Sequence, residues 1–259
     1  LGAAVAIADV ANNVSAVIGQ GSTVEVKNAA LAGRGLLVQA QDDTAVNAGA
    51  YGASVGMAAA GVVWADAAKS GSILARIDDG AEVNLGSGLT RIESLREGKT
   101  AAFAKAGAGG VVAGAGSLAY AEESGLVEAS VGDGVIVAAP SGSVEVEAIS
   151  RPEVSAESKG YGGAIYAGVG VSQAQAVAST QTKAAVGSGG SIAAKSLAVR
   201  ALTQLGETGH TARSYAESVG IGGLLGGNAA VSLAKSALKV EALLNSTLDI
   251  ADDVEVAAV

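Results

Sequence analysis

The chain has 259 residues, of which 38 are glycine and none is cysteine, and its formal net charge at pH 7 is −9. Apolar residues make up 49% of the chain but aromatic residues only 3%, so the bulky side chains that usually carry most apolar burial are scarce. The absence of cysteine excludes disulfides, thiolate zinc sites and thiol catalysis, and the acidic balance argues against nucleic acid as a partner. A mean hydropathy of +0.42 argues against disorder.

A block of two short strands and a turn recurs along the chain. Its first copy has alternating residues over 14–18, a glycine-flanked turn over 19–21 and a second alternating segment over 23–26. Further copies occupy 73–85, 127–137, 182–193 and 240–250. The apolar residues that precede the five turns lie at nearly constant intervals along the chain: Ile18, Ile77, Val131, Val186 and Leu244. The turn glycines that recur with them are Gly19, Gly21, Gly80, Gly132, Gly134, Gly187 and Gly189. This spacing indicates an internal repeat of about 56 residues.

The rest of each unit is also consistent from copy to copy. A third alternating strand and then a long stretch of Gly, Ala and Val follow each block. We therefore predict one continuous array, with a partial unit at 1–34 and units at about 35–87, 88–141, 142–195 and 196–259. The chain begins and ends inside alternating runs, so we expect it to be a segment of a longer protein.

Alternation with period two, β-branched valine and turns rich in Gly, Asp and Ser predict an all-β fold. Glycine at about one residue in seven is too frequent for stable helices, although short helical turns around 58–68 or 229–243 remain an alternative. Strands of about 5–6 residues would give each unit about six strands. Stacked units of this kind predict an elongated β-solenoid. A three-sided solenoid would use two turns per unit and a flattened one a single turn, and the sequence leaves both open.

Few residues suggest chemistry. The turn carboxylates, which include Asp42 and Asp43, offer hard oxygen ligands, and Asp78, Asp79 and Asp133 are weak candidates for binding calcium. Because the nonapeptide calcium signature is absent and aspartate is a common turn residue, we expect no metal and no other cofactor.

The remaining candidates also favour structural roles. His210 is the only histidine, in a polar stretch, and is expected in a solvated loop. The aromatic residues Trp64, Tyr120, Tyr161 and Tyr166 could form a contact strip, but their small number favours packing at corners. Glutamates at alternating positions, such as Glu145 and Glu147, predict a solvated strand face rather than an active site. We therefore expect no enzyme.

The repeat unit resembles a known family. It reads Val-x-Val-x-Ala, a Gly/Ala-rich run, Ser-Leu/Val-Ala-x-Ala, and then Ala-x-Val/Ile-Gly-x-Gly-x-x-Val, most closely at 127–147 and 182–201. This pattern resembles the tandem repeats of very large bacterial filamentous adhesins, the haemagglutinin-like and leukotoxin-like exoproteins. The resemblance implies β-solenoid shafts, secretion through an outer-membrane pore, and roles in attachment or filament formation. It transfers no functional residues, and the last unit departs from it because its turn lacks the Gly-x-Gly pattern.

These observations predict a structural or adhesive segment of a secreted fibre on the bacterial cell surface. We expect end-to-end or lateral self-association and contact with a host or neighbouring cell surface. The uncharged runs at 44–65 and 160–182 are rich in Gly, Ser, Asn and Gln, which argues against membrane insertion. The alternative is a solenoid binding module that recognises carbohydrate or another cell-surface ligand on one face of the rod.

Overall fold

A computed structural model describes residues 1–26 and 35–259, and all regular secondary structure in these ranges is β-strand. The end of the predicted partial unit 1–34, after residue 26, lies outside the described residues. The strands are β1 (Gly2–Ala11), β2 (Val14–Ile18), β3 (Thr23–Glu25), β4 (Gly35–Asp43), β5 (Val46–Ser70), β6 (Ser72–Ile77), β7 (Glu82–Asn84), β8 (Leu89–Glu97), β9 (Lys99–Val131), β10 (Ile136–Ser150), β11 (Glu153–Val186), β12 (Ser191–Thr203), β13 (Ala212–Gly222), β14 (Leu225–Ser236), β15 (Lys239–Leu244), β16 (Thr247–Ile250) and β17 (Val254–Ala258).

The strands form two sheets whose described pairs are all parallel. The first sheet has the order β1-β5-β9-β11-β13, and β2, β6, β14 and β15 also belong to it. The second has the order β16-β12-β10-β7-β3, together with β4, β8 and β17. The predicted all-β class is therefore confirmed.

Each strand pairs with a strand that lies at a nearly constant distance along the chain. The shortest offset joins Ser143 to Ser196, and the longest joins Gly2 to Gly61. The five predicted positions before the turns are lateral neighbours in this register: Ile18, Ile77, Val131, Val186 and Leu244. The chain passes repeatedly through both sheets, and we call each such pass a layer. The layers are β1–β4, β5–β8, β9–β10, β11–β12 and β13–β17.

The prediction of uniformly short strands is wrong for the first sheet. Strands β5, β9 and β11 have 25, 33 and 34 residues. They are long because each bends back on itself while its pairing to neighbours continues around the bend. In β11 a Cβ atom placed on Gly162 would lie 2.2 Å from the carbonyl oxygen of Val169, so the outgoing and returning halves face each other. The register shifts once at this bend, between Ala164 and Ala167.

The helical alternative is also wrong. Residues 58–68 lie inside β5, and 229–243 lie in β14, β15 and the two residues between them. Lateral pairing to neighbouring layers satisfies the backbone of these alanine-rich segments, so their local helix propensity does not decide their structure.

Two hydrophobic lobes share each layer. The aliphatic lobe lies between the two sheets and contains large buried side chains such as Ile73, Ile92 and Leu197. The alanine lobe lies between the outgoing and returning halves of the long strands. In its buried core every apolar residue except Val46, Val63 and Val154 is alanine. We call the junction of the two lobes the waist.

Candidate functional site

The predicted turn glycines form a column at one end of the aliphatic lobe. Gly21, Gly80, Gly134 and Gly189 have φ values of 65°, 66°, 67° and 71°, a conformation that residues with a Cβ rarely adopt. Consecutive turns are hydrogen-bonded to one another. The amide of Gly80, for example, donates to the carbonyl oxygen of Asp133 over 2.8 Å.

The other predicted glycines make room for aspartate side chains. A Cβ on Gly132 would lie 2.4 Å from Asp79 Oδ1, and one on Gly187 would lie 2.6 Å from Asp133 Oδ1. The corresponding first-layer residue, Gly19, has no neighbour closer than 3.7 Å. Its small size is therefore not required by packing in the described layers.

The three calcium candidates connect neighbouring layers or lie beside a cation. Asp79 Oδ1 accepts a hydrogen bond from the amide of Asp133 over 2.8 Å, and Asp133 Oδ1 accepts one from the amide of Ser188 over 2.6 Å. Asp78 Oδ1 lies 2.9 Å from Arg76 Nε. Across residues 1–26 and 35–259, no group of three or more His, Cys, Asp or Glu residues is arranged to hold a metal ion.

The remaining predicted site residues are dispersed. His210 lies in the loop between β12 and β13, where its Nε2 is 3.2 Å from Thr208 Oγ1. Trp64 is in the returning half of β5. In the next layer Tyr120 pairs with Asp66, two residues beyond Trp64. Tyr161 lies in the outgoing half of β11, and Tyr166 lies at its bend.

The glutamate face is not fully solvated, so that prediction needs correction. Glu147 is only 5% exposed because two arginines from the layers on either side enclose its carboxylate. Arg91 Nη2 donates to it over 2.6 Å and Arg200 Nη1 over 2.9 Å. Burial alone would raise the pKa of Glu147, but these hydrogen bonds and charges hold it below its ordinary value.

A buried charge quartet that was not predicted from the sequence lies at the waist and is formed by Asp42, Lys69, Arg96 and Glu123. None of the four residues is more than 4% exposed. The four residues are evenly spaced along the chain, and the separation between consecutive members is half of the sequence separation between paired residues such as Asp42 and Arg96. They therefore alternate between the two sheets. The prediction that Asp42 is a turn carboxylate is wrong, because it occupies an inward position near the end of β4.

The first three members of the quartet are linked to one another and to the backbone. Lys69 Nζ lies 3.3 Å from Asp42 Oδ2 and donates to the carbonyl oxygen of Glu97 over 2.6 Å. Arg96 donates to the carbonyl oxygens of Ser124 and Gly71 over 2.8 and 3.0 Å. The cations thus fill backbone acceptors as well as facing a carboxylate.

The two carboxylates have opposite environments. Burial favours a higher pKa for Asp42, but hydrogen bonds from Thr44 and Asn12 and the charge of Lys69 lower its pKa overall. Neither oxygen of Glu123 receives a hydrogen bond of normal geometry from the described residues. Burial raises the pKa of Glu123 to about 7, against the opposing charges of Lys69 and Arg96.

An open groove lies on the outer side of the waist. Two adjoining cavities, of about 680 and 550 Å³, share Lys99, Glu153 and Thr208 in their lining. The smaller cavity extends along the outgoing halves of the long strands to Phe103 and Tyr215. Charged side chains of both signs and aromatic rings therefore face one solvent-filled space.

Aromatic rings are concentrated on this side. Of the seven aromatic residues in the chain (one Trp, five Tyr and one Phe), four lie on the outward side of the outgoing halves, one from each of layers two to five. We call these four residues, Tyr51, Phe103, Tyr161 and Tyr215, the aromatic face. The predicted strip named Tyr161 but not the other three, and the missed signal was their similar position within each period.

Comparison of the chain with protein-family models, with curated proteins and with solved structures found no match. A search of the described residues for a helix long and apolar enough to cross a membrane also found none.

Proposed function

We propose that this chain is a β-solenoid segment of a secreted bacterial surface fibre, and that its role is to build a stiff shaft. The observation that carries the proposal is the register. Strands in both sheets pair in parallel with partners one period later, through all five layers. A chain that advances by one layer per period forms a rod in which backbone hydrogen bonds run along the axis.

Side-chain links between layers support a mechanical role. Asp79 and Asp133 each accept an amide hydrogen bond from the next turn. On the outer side of the second sheet, Arg91, Glu147 and Arg200 connect three successive layers. Such links resist sliding of one layer on another, in addition to the backbone ladders.

End-to-end or lateral self-association into a filament is a further part of the proposal. Unpaired backbone groups along an exposed strand edge favour pairing with another chain. Extracellular location, secretion through an outer-membrane pore and attachment to host or neighbouring cells are the further parts of the proposal, and they rest on the resemblance to filamentous adhesins.

Electron microscopy of negatively stained protein, together with far-UV circular dichroism, tests this proposal. Five layers at about 4.8 Å each span roughly 24 Å, so rods much longer than this require end-to-end stacking. We expect uniform rods with a β-sheet spectrum, and aligned rods should diffract at a spacing of about 4.8 Å along their axis. A helical spectrum would contradict the shaft, and compact particles at every protein concentration would contradict end-to-end self-association.

A second candidate role is favoured by one observation, the aromatic face beside the groove. It supports a binding surface on one side of the rod and does not conflict with a shaft.

A further inference from the structure

We propose that the aromatic face and Arg213 bind a carboxylated sugar of an acidic polysaccharide. The binding site is the 550 Å³ cavity that Phe103, Tyr215 and Arg213 line. This role is independent of the proposed shaft, because it requires three to four correctly stacked layers but no association of chains.

The aromatic residues of the chain are concentrated on one outward face. A chain with only 3% aromatic residues places four of seven on one outward face, although its buried cores are aliphatic and alanine-rich. Two of these side chains are well exposed, Tyr51 at 67% and Tyr215 at 45%. The aromatic face is thus not explained by core packing, and exposed tyrosines are typical of recognition surfaces.

The rings of the aromatic face are held in place by contacts with one another and with Lys159. The ring centroids of Tyr51 and Phe103 are 5.2 Å apart. Lys159 Nζ lies 5.9 Å from the centroid of Phe103 and 5.6 Å from that of Tyr215. Lys159 therefore bridges rings from two layers, and the face is organised before any ligand arrives, which reduces the entropy lost on binding.

The cavity also contains a positive charge that has no acidic partner among the described residues. Arg213 is exposed and, among the described residues, no acidic side chain lies within ion-pair distance of it. Its lateral neighbour in β11 is Ser155. Lys99 and Lys159 in the same cavity are paired, with Glu153 and Glu157 respectively.

These features select the class of ligand. The guanidinium of Arg213 presents a planar pair of donors that matches a carboxylate. Tyr215 lies two residues beyond Arg213 on the same face of β13. A sugar whose carboxylate is bound by Arg213 would therefore place the apolar face of its ring near the aromatic ring of Tyr215. A polyphosphate chain is disfavoured, because it has no apolar ring face to place against Phe103 and Tyr215 in the lining of the cavity. A single carboxylate on a sugar ring fits one free arginine between aromatic groups.

Calorimetric titration of the intact chain tests the site. One arm uses oligogalacturonate as a source of uronic acid, a second uses a sialylated oligosaccharide, and a third uses a neutral malto-oligosaccharide of similar length. We expect one acidic arm to bind at least about tenfold more tightly than the neutral arm, since charge-assisted hydrogen bonds contribute that much. The acidic arm that binds identifies the type of sugar.

Three variants make the test specific. Arg213→Ala and Tyr215→Ala should each weaken binding about tenfold or more. The matched control is Arg76→Ala, which removes the same charge from the other lobe and should leave the affinity unchanged. Because Arg213, Tyr215 and Arg76 are solvent-exposed, circular dichroism should report the same β-sheet content for all three variants.

The proposal is overturned if neither acidic arm binds, or if the neutral sugar binds equally well. It is also overturned if Arg213→Ala binds like the parent chain, or if single-stranded DNA binds more tightly than both acidic sugars. Rod formation in the microscope has no bearing on these results, so failure of the site and failure of the shaft are distinguishable.

Discussion

The aliphatic lobe and the alanine lobe solve the same packing problem in different ways. Both are stacks of parallel strands, yet the first fills its interior with Val, Ile and Leu and the second with almost nothing larger than alanine. In the alanine lobe the backbones themselves approach. A Cβ on Gly160 would lie 2.5 Å from the carbonyl oxygen of Val171. One kind of backbone ladder thus supports both a thick core, stabilised by apolar volume, and a thin core, stabilised by close contact.

Polar groups also differ between the lobes. Inside the alanine lobe, the hydroxyl oxygen of Ser117 lies 2.8 Å from that of Ser158 and 3.1 Å from that of Ser172. Such small hydroxyl groups fit where the halves of a strand nearly touch. The centre of the aliphatic lobe is mostly Val, Ile, Leu and Ala, with Thr90 and Ser94 among its buried polar residues, and the buried charge quartet lies at the waist. Stability in the thin lobe should therefore depend on shape more than on hydrophobic area.

The largest effect should come from a charge in the aliphatic lobe. Val186 is 1% exposed and packs in that core. Val186→Lys buries an unpaired ammonium, so we expect a loss of about 5 kcal/mol or more in the free energy of unfolding. Urea unfolding measures it. Ala185→Lys, on the outward side of the same strand, is the control, and equal losses for both variants would show that Val186 does not face the core.

A cavity should be the next most damaging change. Ile92 is fully buried in the aliphatic lobe, and Ile92→Ala should destabilise the fold by roughly 2–5 kcal/mol. In the alanine lobe, Ala104→Gly removes one buried methyl group and should cost only about 1 kcal/mol. Urea unfolding of both variants measures the two losses in the free energy of unfolding. Similar losses would mean that the two lobes do not differ in how they are stabilised.

At the waist, Glu123 should make stability depend on pH. Its carboxyl pKa is 4.5 in the ordinary state and about 7 in the fold. The folded state therefore binds the Glu123 proton more tightly than the unfolded state does. The resulting stabilisation of the fold is fully present below pH 4.5 and is lost as the pH rises through 7. The loss is roughly 3 kcal/mol. Glu123→Gln, which mimics the neutral acid, should be more stable than the parent chain at pH 8 by up to that amount and nearly equal to it at pH 4.5.

Thermal and urea unfolding across this pH range provide the measurement for Glu123. Glu122→Gln, the same substitution on the neighbouring outward position, is the control. Taking the difference between variant and parent at each pH removes the contribution of other titrating groups. A difference for Glu123→Gln that is the same at pH 4.5 and pH 8 contradicts the raised pKa.

A methyl group added to the thin lobe should have an effect that depends on where it is placed. A Cβ on Gly162 would lie 2.2 Å from the carbonyl oxygen of Val169, whereas one on Gly163 meets nothing within 4 Å. Gly162→Ala should thus destabilise by about 2 kcal/mol. Gly163→Ala should be neutral or stabilising by about 0.5 kcal/mol. Thermal unfolding of the pair is the measurement, and equal melting temperatures would mean that the two halves of β11 are not in close contact.

Local features were the part of the fold that could be predicted from sequence. The segment 14–18 was predicted as a strand and is β2, because alternation and the following turn are properties of a few adjacent residues. The fold-back of β11 was not predicted. Its bend carries Ile165 and Tyr166 rather than Gly, Asp or Asn, so no turn signal marks it.

The charge quartet and the aromatic face were missed for a different reason. Their members are brought together by pairing across layers, which no short window of sequence reveals. A signal did exist for Asp42 and Arg96, because each occupies the inward position of an alternating strand, where a charge is unexpected. For Tyr51 and Phe103 the signal was weaker, since they differ by two residues in their position within the period.

The buried quartet also has a consequence for how the chain finds its fold. Successive units are so alike that layer two could stack on layer four with little change in apolar contact. Asp42 in the first layer, Lys69 and Arg96 in the second and Glu123 in the third make such a misordering unfavourable. The fourth layer presents Ala178 and Thr203 at the equivalent places, so a skipped layer would leave the two cations facing Asp42 without the second carboxylate of Glu123. The buried charges therefore favour the native order of the layers over other orders that would bury a similar apolar surface.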